Sequence, residues 1–284
     1  MRLIVKLTLT LGRPVGRGLL YPICGYFLAF SKESRRASYD YLRRALDRAP
    51  SMRERFAHYH CFAATILDRV YFLSGRGDQF EVDIDGIELL RETLERRRGC
   101  LLLGAHFGSF DVLRVLGRVE SPVVIRVLMH ERNAVKINSV LGALNSDLPQ
   151  QIIPLGEPET MLKVSEALAR GEIVGLLADR AVAGDKMLPC QFLGDAALFP
   201  GGPYQMAALL NVPIVLFSAV ASGSRRYRIR FEPFAEQVGS APHDDAALLT
   251  AHARYYAQWL ERQCRDAPYN WFNFFDFWRD ARSR

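Results

Sequence analysis

From residue 100 onward the chain alternates short apolar runs with helix-period segments. This alternation limits its fold more than any other feature. Leu101–Ala105, Val123–Met129, Gln151–Leu155, Ile173–Ala178 and Val212–Val220 read as strands. Thr160–Arg170, stopped by Gly171, and Pro203–Leu210 read as helices between them. Apolar runs without polar alternation suit strands buried on both faces, and strands spaced by helices build a parallel sheet. The expected class is therefore α/β, a mostly parallel central sheet flanked by helices. A chain of 284 residues that is 49% hydrophobic can bury such a core.

Ahead of the alternation, residues 1–48 read as amphipathic helices, and 49–284 as the α/β domain. Arg2, Lys6, Arg13 and Arg17 share one helical face beside Leu3, Ile4, Leu7 and Leu11, the pattern of a helix lying in a membrane interface. Gly12, Pro14, Gly16 and Gly18 predict a break into two pieces. Residues 51–74 read as a helix, Val82–Ile84 as a short strand and Gly86–Arg98 as a charged helix. Val238–Asp245 reads as an exposed loop. Arg226, Arg228 and Arg230 alternate with Tyr227, Ile229 and Phe231, a half-buried strand with a solvated basic face. Trp271, Phe274, Phe275 and Trp278 follow helical spacing, so a C-terminal helix is expected, packed on the core or touching lipid.

Two apolar runs end in residues that can do chemistry. The first ends at His106, with Asp111 five positions on. In one continuous helix five residues turn about 140° past a full revolution, so the side chains meet only if the chain turns between them. Gly104 and Gly108 permit that turn. The second run ends at Asp179 and Arg180. Ligands of an open parallel sheet bind beyond the carboxyl ends of its strands, so His106, Asp179 and Arg180 are expected in one crevice. A carboxylate on the imidazole would fix its tautomer and make it a better base. Asp111 and Asp179 are both candidates, with Asp111 favoured, and Arg180 is a candidate anion ligand. Gly201 and Gly202 precede a helix start whose N–H groups could face an anion.

Other chemistries lack their signatures. No serine-hydrolase elbow or phosphate loop is present, and the six histidines show no metal-ligand spacing. The five cysteines are scattered, without a C-x-x-C pair, which suggests neither a zinc site nor a disulfide framework. No uncharged apolar run of about 18 residues marks a membrane span. A net charge of +6 with a pI near 9.2 favours an anionic partner: nucleic acid, anionic lipid or an acidic carrier.

In this order the segments resemble the bacterial lipid A late acyltransferases, within the lysophospholipid and glycerol-phosphate acyltransferases. His106-x4-Asp111 is similar to the catalytic block of that superfamily. Leu-Leu-Ala-Asp179-Arg180 and Phe192-Leu-Gly194…Phe199-Pro-Gly201-Gly202-Pro203 resemble later blocks, and Val212-Pro-Ile-Val the terminal one. The resemblance spans roughly residues 1–280. It implies an acyltransferase fold, no bound cofactor, and an acyl-carrier-protein or coenzyme A thioester as donor. It also implies a lipid or glycolipid acceptor, no nucleic acid, and peripheral attachment to the cytoplasmic face of the inner membrane. His106 would be the general base and Asp111 or Asp179 its partner. Arg180, Phe192, Gly194, Gly201 and Gly202 would lie at the substrate. The late lipid A enzymes usually carry Glu where this chain has Asp111, so other glycolipids, phospholipids or pigment lipids are also expected acceptors. A noncatalytic lipid- or carrier-binding protein and a thioesterase are the alternatives.

Overall fold

The structure is a computed structural model that describes residues 10, 12–95, 99–116, 124–130, 151–181, 184–234 and 245–279. Among them, nine strands and seven α-helices form a mixed α/β architecture around a seven-stranded sheet. In chain order the strands are β1 (Glu81–Asp85), β2 (Cys100–Gly104), β3 (Ile125–His130), β4 (Ile152–Leu155), β5 (Ile173–Leu177), β6 (Met187–Phe192), β7 (Asp195–Pro200), β8 (Ile214–Ala221) and β9 (Arg226–Pro233). The sheet order is β1-β9-β8-β2-β5-β3-β4. From β8 to β4 every neighbour is parallel. β9 runs antiparallel to β8, with β1 parallel to β9 at the edge. The sheet thus matches the class expected from the alternation.

Seven helices cover it: α1 (Arg13–Phe30), α2 (Lys32–Ala45), α3 (Met52–Leu73), α4 (Ile87–Glu95), α5 (Thr160–Ala169), α6 (Gly202–Leu210) and α7 (Ala246–Asp266). β2 is fully buried along its length, as its unbroken apolar run requires. One core layer joins Leu101 and Leu103 to α2, α5, α6 and α7, and the opposite layer joins Leu102 to α3 and α4. α3 starts with a reciprocal cap: Glu54 N donates to Ser51 Oγ, and Ser51 N donates to the Glu54 carboxylate.

Several expectations change here. The expected helix break falls at Gly12 alone: Thr10 is helical, Gly12 leaves the helix at φ +86°, and α1 starts at Arg13 with Pro14 in its first turn and runs through Gly16 and Gly18 to Phe30. Gly16 is buried, so its small size serves packing. Arg13 and Arg17 leave the expected lipid-facing stripe. Arg13 is buried with Asp68 in a two-pronged pair at 2.6 and 2.7 Å, and Arg17 lies 3.8 Å from the same carboxylate. Arg2 and Lys6 lie outside the described residues, as does most of the expected loop at 238–245. The C-terminal stretch is not a helix. Trp271 makes an antiparallel bridge to Phe107, and irregular turns follow. Trp271 and Trp278 are both buried, so neither meets lipid.

The basic face of β9 is neutralised within the sheet. Glu81, Asp83 and Asp85 of β1 stand in register with Arg226, Arg228 and Arg230. The segment before α6 holds a hairpin. β6 and β7 pair antiparallel and turn at Leu193 (φ +52°) and Gly194 (φ +85°), the positive-φ pair of a two-residue hairpin.

Candidate active site

The geometry follows from strand register. β2 and β5 are parallel neighbours with Gly104 opposite Leu177. Two residues beyond each pairing stand His106 and Asp179, side by side at the carboxyl edge of the sheet. The Asp179 Oδ1 atom accepts from the His106 backbone N–H at 3.0 Å and lies 2.9 Å from His106 Nδ1. Its other oxygen accepts from Trp271 Nε1 at 3.0 Å. Asp179 is 1% exposed, whereas the His106 side chain is one-third exposed. Burial pushes the Asp179 carboxyl up, but His106, Arg180 and the Trp271 bond outweigh it and hold it at about 2. The ionised carboxylate only accepts, so Nδ1 carries the hydrogen. In the neutral ring this tautomer puts the lone pair on Nε2.

The carboxylate that meets Nδ1 is therefore Asp179, reversing the preference for Asp111. Asp111 opens a 3₁₀ turn over Phe110–Val115 and pairs with Arg69 of α3 at 2.8 Å. Between His106 and Asp111 the chain turns at Gly108, φ +66°. A Cβ there would lie 1.9 Å from Ala219 O, so only glycine fits. Gly108 N donates to Asn270 O, and Ser109 N donates to Ala219 O. Gly104 does not turn. It ends β2 against the Phe217 ring, where a Cβ would come within 2.3 Å.

The C-terminal segment closes over the back of this pair. Phe272 N donates to His106 O at 2.8 Å, and Arg180 Nη2 donates to Phe272 O at 2.8 Å. The Arg180 guanidinium lies 5.1 Å from the Phe275 ring centroid, while its buried Nε has no partner among the described residues. Burial lowers its pKa, and Asp179 pulls it back up. Trp271 is braced from behind. His58 Nε2 lies 2.8 Å from Trp271 O, and its Nδ1 lies 2.8 Å from Ser38 Oγ. Nε2 must donate to the carbonyl, so Nδ1 accepts from the serine. Burial drives His58 down to about 4, against the opposing pull of the Trp271 bond.

The remaining expected residues sit in supporting positions. Phe192 is wholly buried, with its ring 5.3 Å edge-on to Trp271, and backs the indole that holds Asp179. Gly194 makes the hairpin turn. Gly201 N already donates to Lys186 O, and the Gly202 Cα faces the Asp185 carboxylate, a poor setting for an anion. Trp271, Phe272, Asn270 and His58 escape a local reading. Trp271 stands in a conspicuous aromatic cluster, but its spacing imitates a helix. Among the described residues no three His, Cys, Asp or Glu side chains gather to hold a metal ion.

A histidine–aspartate pair thus stands at the carboxyl edge of a mostly parallel sheet, and among the described residues the second imidazole nitrogen has no partner. The chain belongs to the bacterial lipid A biosynthesis acyltransferases, whose family profile matches residues 43–280. It is accordingly an acyltransferase acting on lipid. No curated protein matches the sequence.

Proposed function

We propose that this enzyme moves an acyl chain from a thioester, carried by acyl carrier protein or coenzyme A, to a hydroxyl or an amine of a lipid or glycolipid. The buried Asp179–His106 contact carries the reading. Nε2 of His106 removes the acceptor proton as the acceptor oxygen or nitrogen attacks the thioester carbonyl. The bond to sulfur breaks, and the thiolate leaves with the proton returned by the imidazolium. Asp179 holds the tautomer and stabilises the imidazolium. Arg180 supplies positive potential for the developing oxyanion. The net charge of +6 favours an acidic carrier as donor and an anionic membrane surface as workplace. No helix among the described residues is long and apolar enough to cross a membrane, which fits peripheral attachment to the cytoplasmic face of the inner membrane.

The test is turnover of acyl-carrier-protein and acyl-coenzyme A donors with a lipid acceptor. His106→Ala is expected to lower transfer by about 10²-fold or more, the scale of a lost general base, with the fold intact. Normal turnover in a folded variant removes His106 from the mechanism. Release of free fatty acid without an acylated lipid would instead mark a thioesterase.

A further inference from the structure

Outside the crevice, most arginines with a known partner pair with a carboxylate: Arg13 with Asp68, Arg44 with Asp195, Arg48 with Glu54, Arg126 with Glu172. Two do not. Arg35 of α2 and Arg55 of α3 face an open notch of about 290 Å³ lined by these two side chains and Gly25, Leu28, Ala29 and Met52. Among the described residues no carboxylate lines it. Arg35 Nη1 donates to Ala29 O at 2.8 Å, which fixes the guanidinium at the C-terminal end of α1. Arg55 Nη1 meets only the Met52 sulfur at 3.2 Å, and its guanidinium lies 5.6 Å from the Tyr39 ring. Its Nε is shielded from solvent and has no partner among the described residues. Two guanidiniums therefore line one concavity, offset among the described residues by backbone carbonyls of α1 and by no carboxylate. An arginine pair of this kind matches a phosphate.

The wall beside the notch gives the phosphate a source. From Gly18 to Ser31 the chain holds no charged residue. The outer face of α1 instead shows Leu19, Tyr26, Phe27 and Phe30, with Phe30 74% exposed. Aromatic and aliphatic side chains beside basic ones are the composition of a helix seated at a bilayer interface. A free anion would fill the notch and leave this face in water, whereas a lipid covers both. We infer that the α1–α2–α3 notch binds the phosphate headgroup of an anionic membrane lipid, with Arg35 and Arg55 as its ligands and the outer face of α1 against the acyl chains. This site shares no residue with the His106–Asp179 cluster and does not depend on the roles given to that pair.

The test uses the full chain and vesicles of phosphatidylcholine with and without phosphatidylglycerol. Arg55→Gln is expected to weaken binding to the phosphatidylglycerol vesicles about tenfold, the scale of one hydrogen bond to a charged group. Arg35→Gln/Arg55→Gln should weaken it further, with binding to pure phosphatidylcholine unchanged. Arg254→Gln/Arg262→Gln, which removes two exposed charges from α7, should leave both affinities in place. Because Arg35 also fixes the end of α1, Arg55→Gln carries the test alone if the double variant loses its cooperative melt. Unchanged affinity of Arg55→Gln, or an equal loss in the α7 control, overturns the proposal. So does a thermal shift with inorganic phosphate, at matched ionic strength, that matches the lipid's effect and vanishes in Arg55→Gln: the notch would then be a free-anion site.

Discussion

Asp68 and Asp179 are equally buried, each 1% exposed, yet they do different work. Asp68 is closed off by Arg13 at 2.6 and 2.7 Å and by the Tyr227 hydroxyl at 2.9 Å. A guanidinium stays charged at any working pH, so this contact holds a helix in place and moves no proton. Asp179 also accepts from three donors, but one of them is an imidazole whose side chain is one-third exposed. In the proposed mechanism that imidazole exchanges the acceptor proton, and the same kind of carboxylate then serves the reaction. Burial alone does not separate the two roles; the chemistry of the partner does.

The largest expected effect breaks the catalytic side of this contrast. In Asp179→Asn the amide can donate to Nδ1 and shift the imidazole hydrogen onto Nε2, the wrong tautomer for a base. Turnover should fall by about 10³-fold or more, as in other triads that lose this carboxylate. Asp111→Asn, which disturbs the Arg69 pair instead, should cost less than about tenfold. Steady-state rates of both folded variants decide the matter. A larger loss for Asp111→Asn would return that residue to the histidine.

Asp68→Asn tests the structural side. It leaves the buried Arg13 guanidinium without its counter-charge, and removing one partner of a buried pair costs about 3–5 kcal/mol. Denaturant melts should show that loss, while turnover per folded molecule stays near that of the parent. A fall in turnover without a fall in stability would mean that the Asp68 region serves the reaction directly.

The same contrast shows what a linear sequence can convey. The strands were legible because β2 and β5 are apolar without interruption, and His106 and Asp179 because each ends such a run. Which acid meets His106 was not legible, since it depends on the β2–β5 register across 73 positions of sequence. Trp271 was misread because residues 271, 274, 275 and 278 match a helical period by coincidence. Their rings meet different partners: Trp271 Nε1 donates to Asp179, Phe274 stacks on His58, and Trp278 lies under Arg44. The buried stripe of α7, Leu249, His252, Ala253, Tyr256, Ala257 and Leu260, carries a true helical period that the sequence reading passed over. Arg13 fitted a basic surface stripe because nothing local announces Asp68, 55 residues away.

His58 links the two regions through pH. Its pKa falls from 6.5 to about 4 in the folded state because burial disfavours the charged ring. Between those values the unfolded chain takes up the extra proton, so stability falls as pH drops from 6.5 toward 4. At ~1.4 kcal/mol per pH unit the loss amounts to roughly 3 kcal/mol. His58→Gln should flatten this part of the stability–pH curve, measured by urea melts at successive pH values. An unchanged slope would mean that His58 is not the group responsible.

The smallest effect separates the two arginines at Asp68. Arg13 occupies both carboxylate oxygens, whereas Arg17 stands 3.8 Å off with its side chain about a quarter exposed. A distant, solvated contact to an already paired carboxylate gains little, because water screens it and holding the side chain costs entropy. Arg17→Gln should therefore change stability by less than about 1 kcal/mol. Adding Asp68→Asn should give a cycle with almost no coupling, in contrast to the strong coupling of Arg13 with Asp68. A coupling for Arg17 as large as that for Arg13 would mean that the carboxylate shares its charge between both helical turns. The N-terminal half of α1 would then be held by a three-group cluster in place of a single pair.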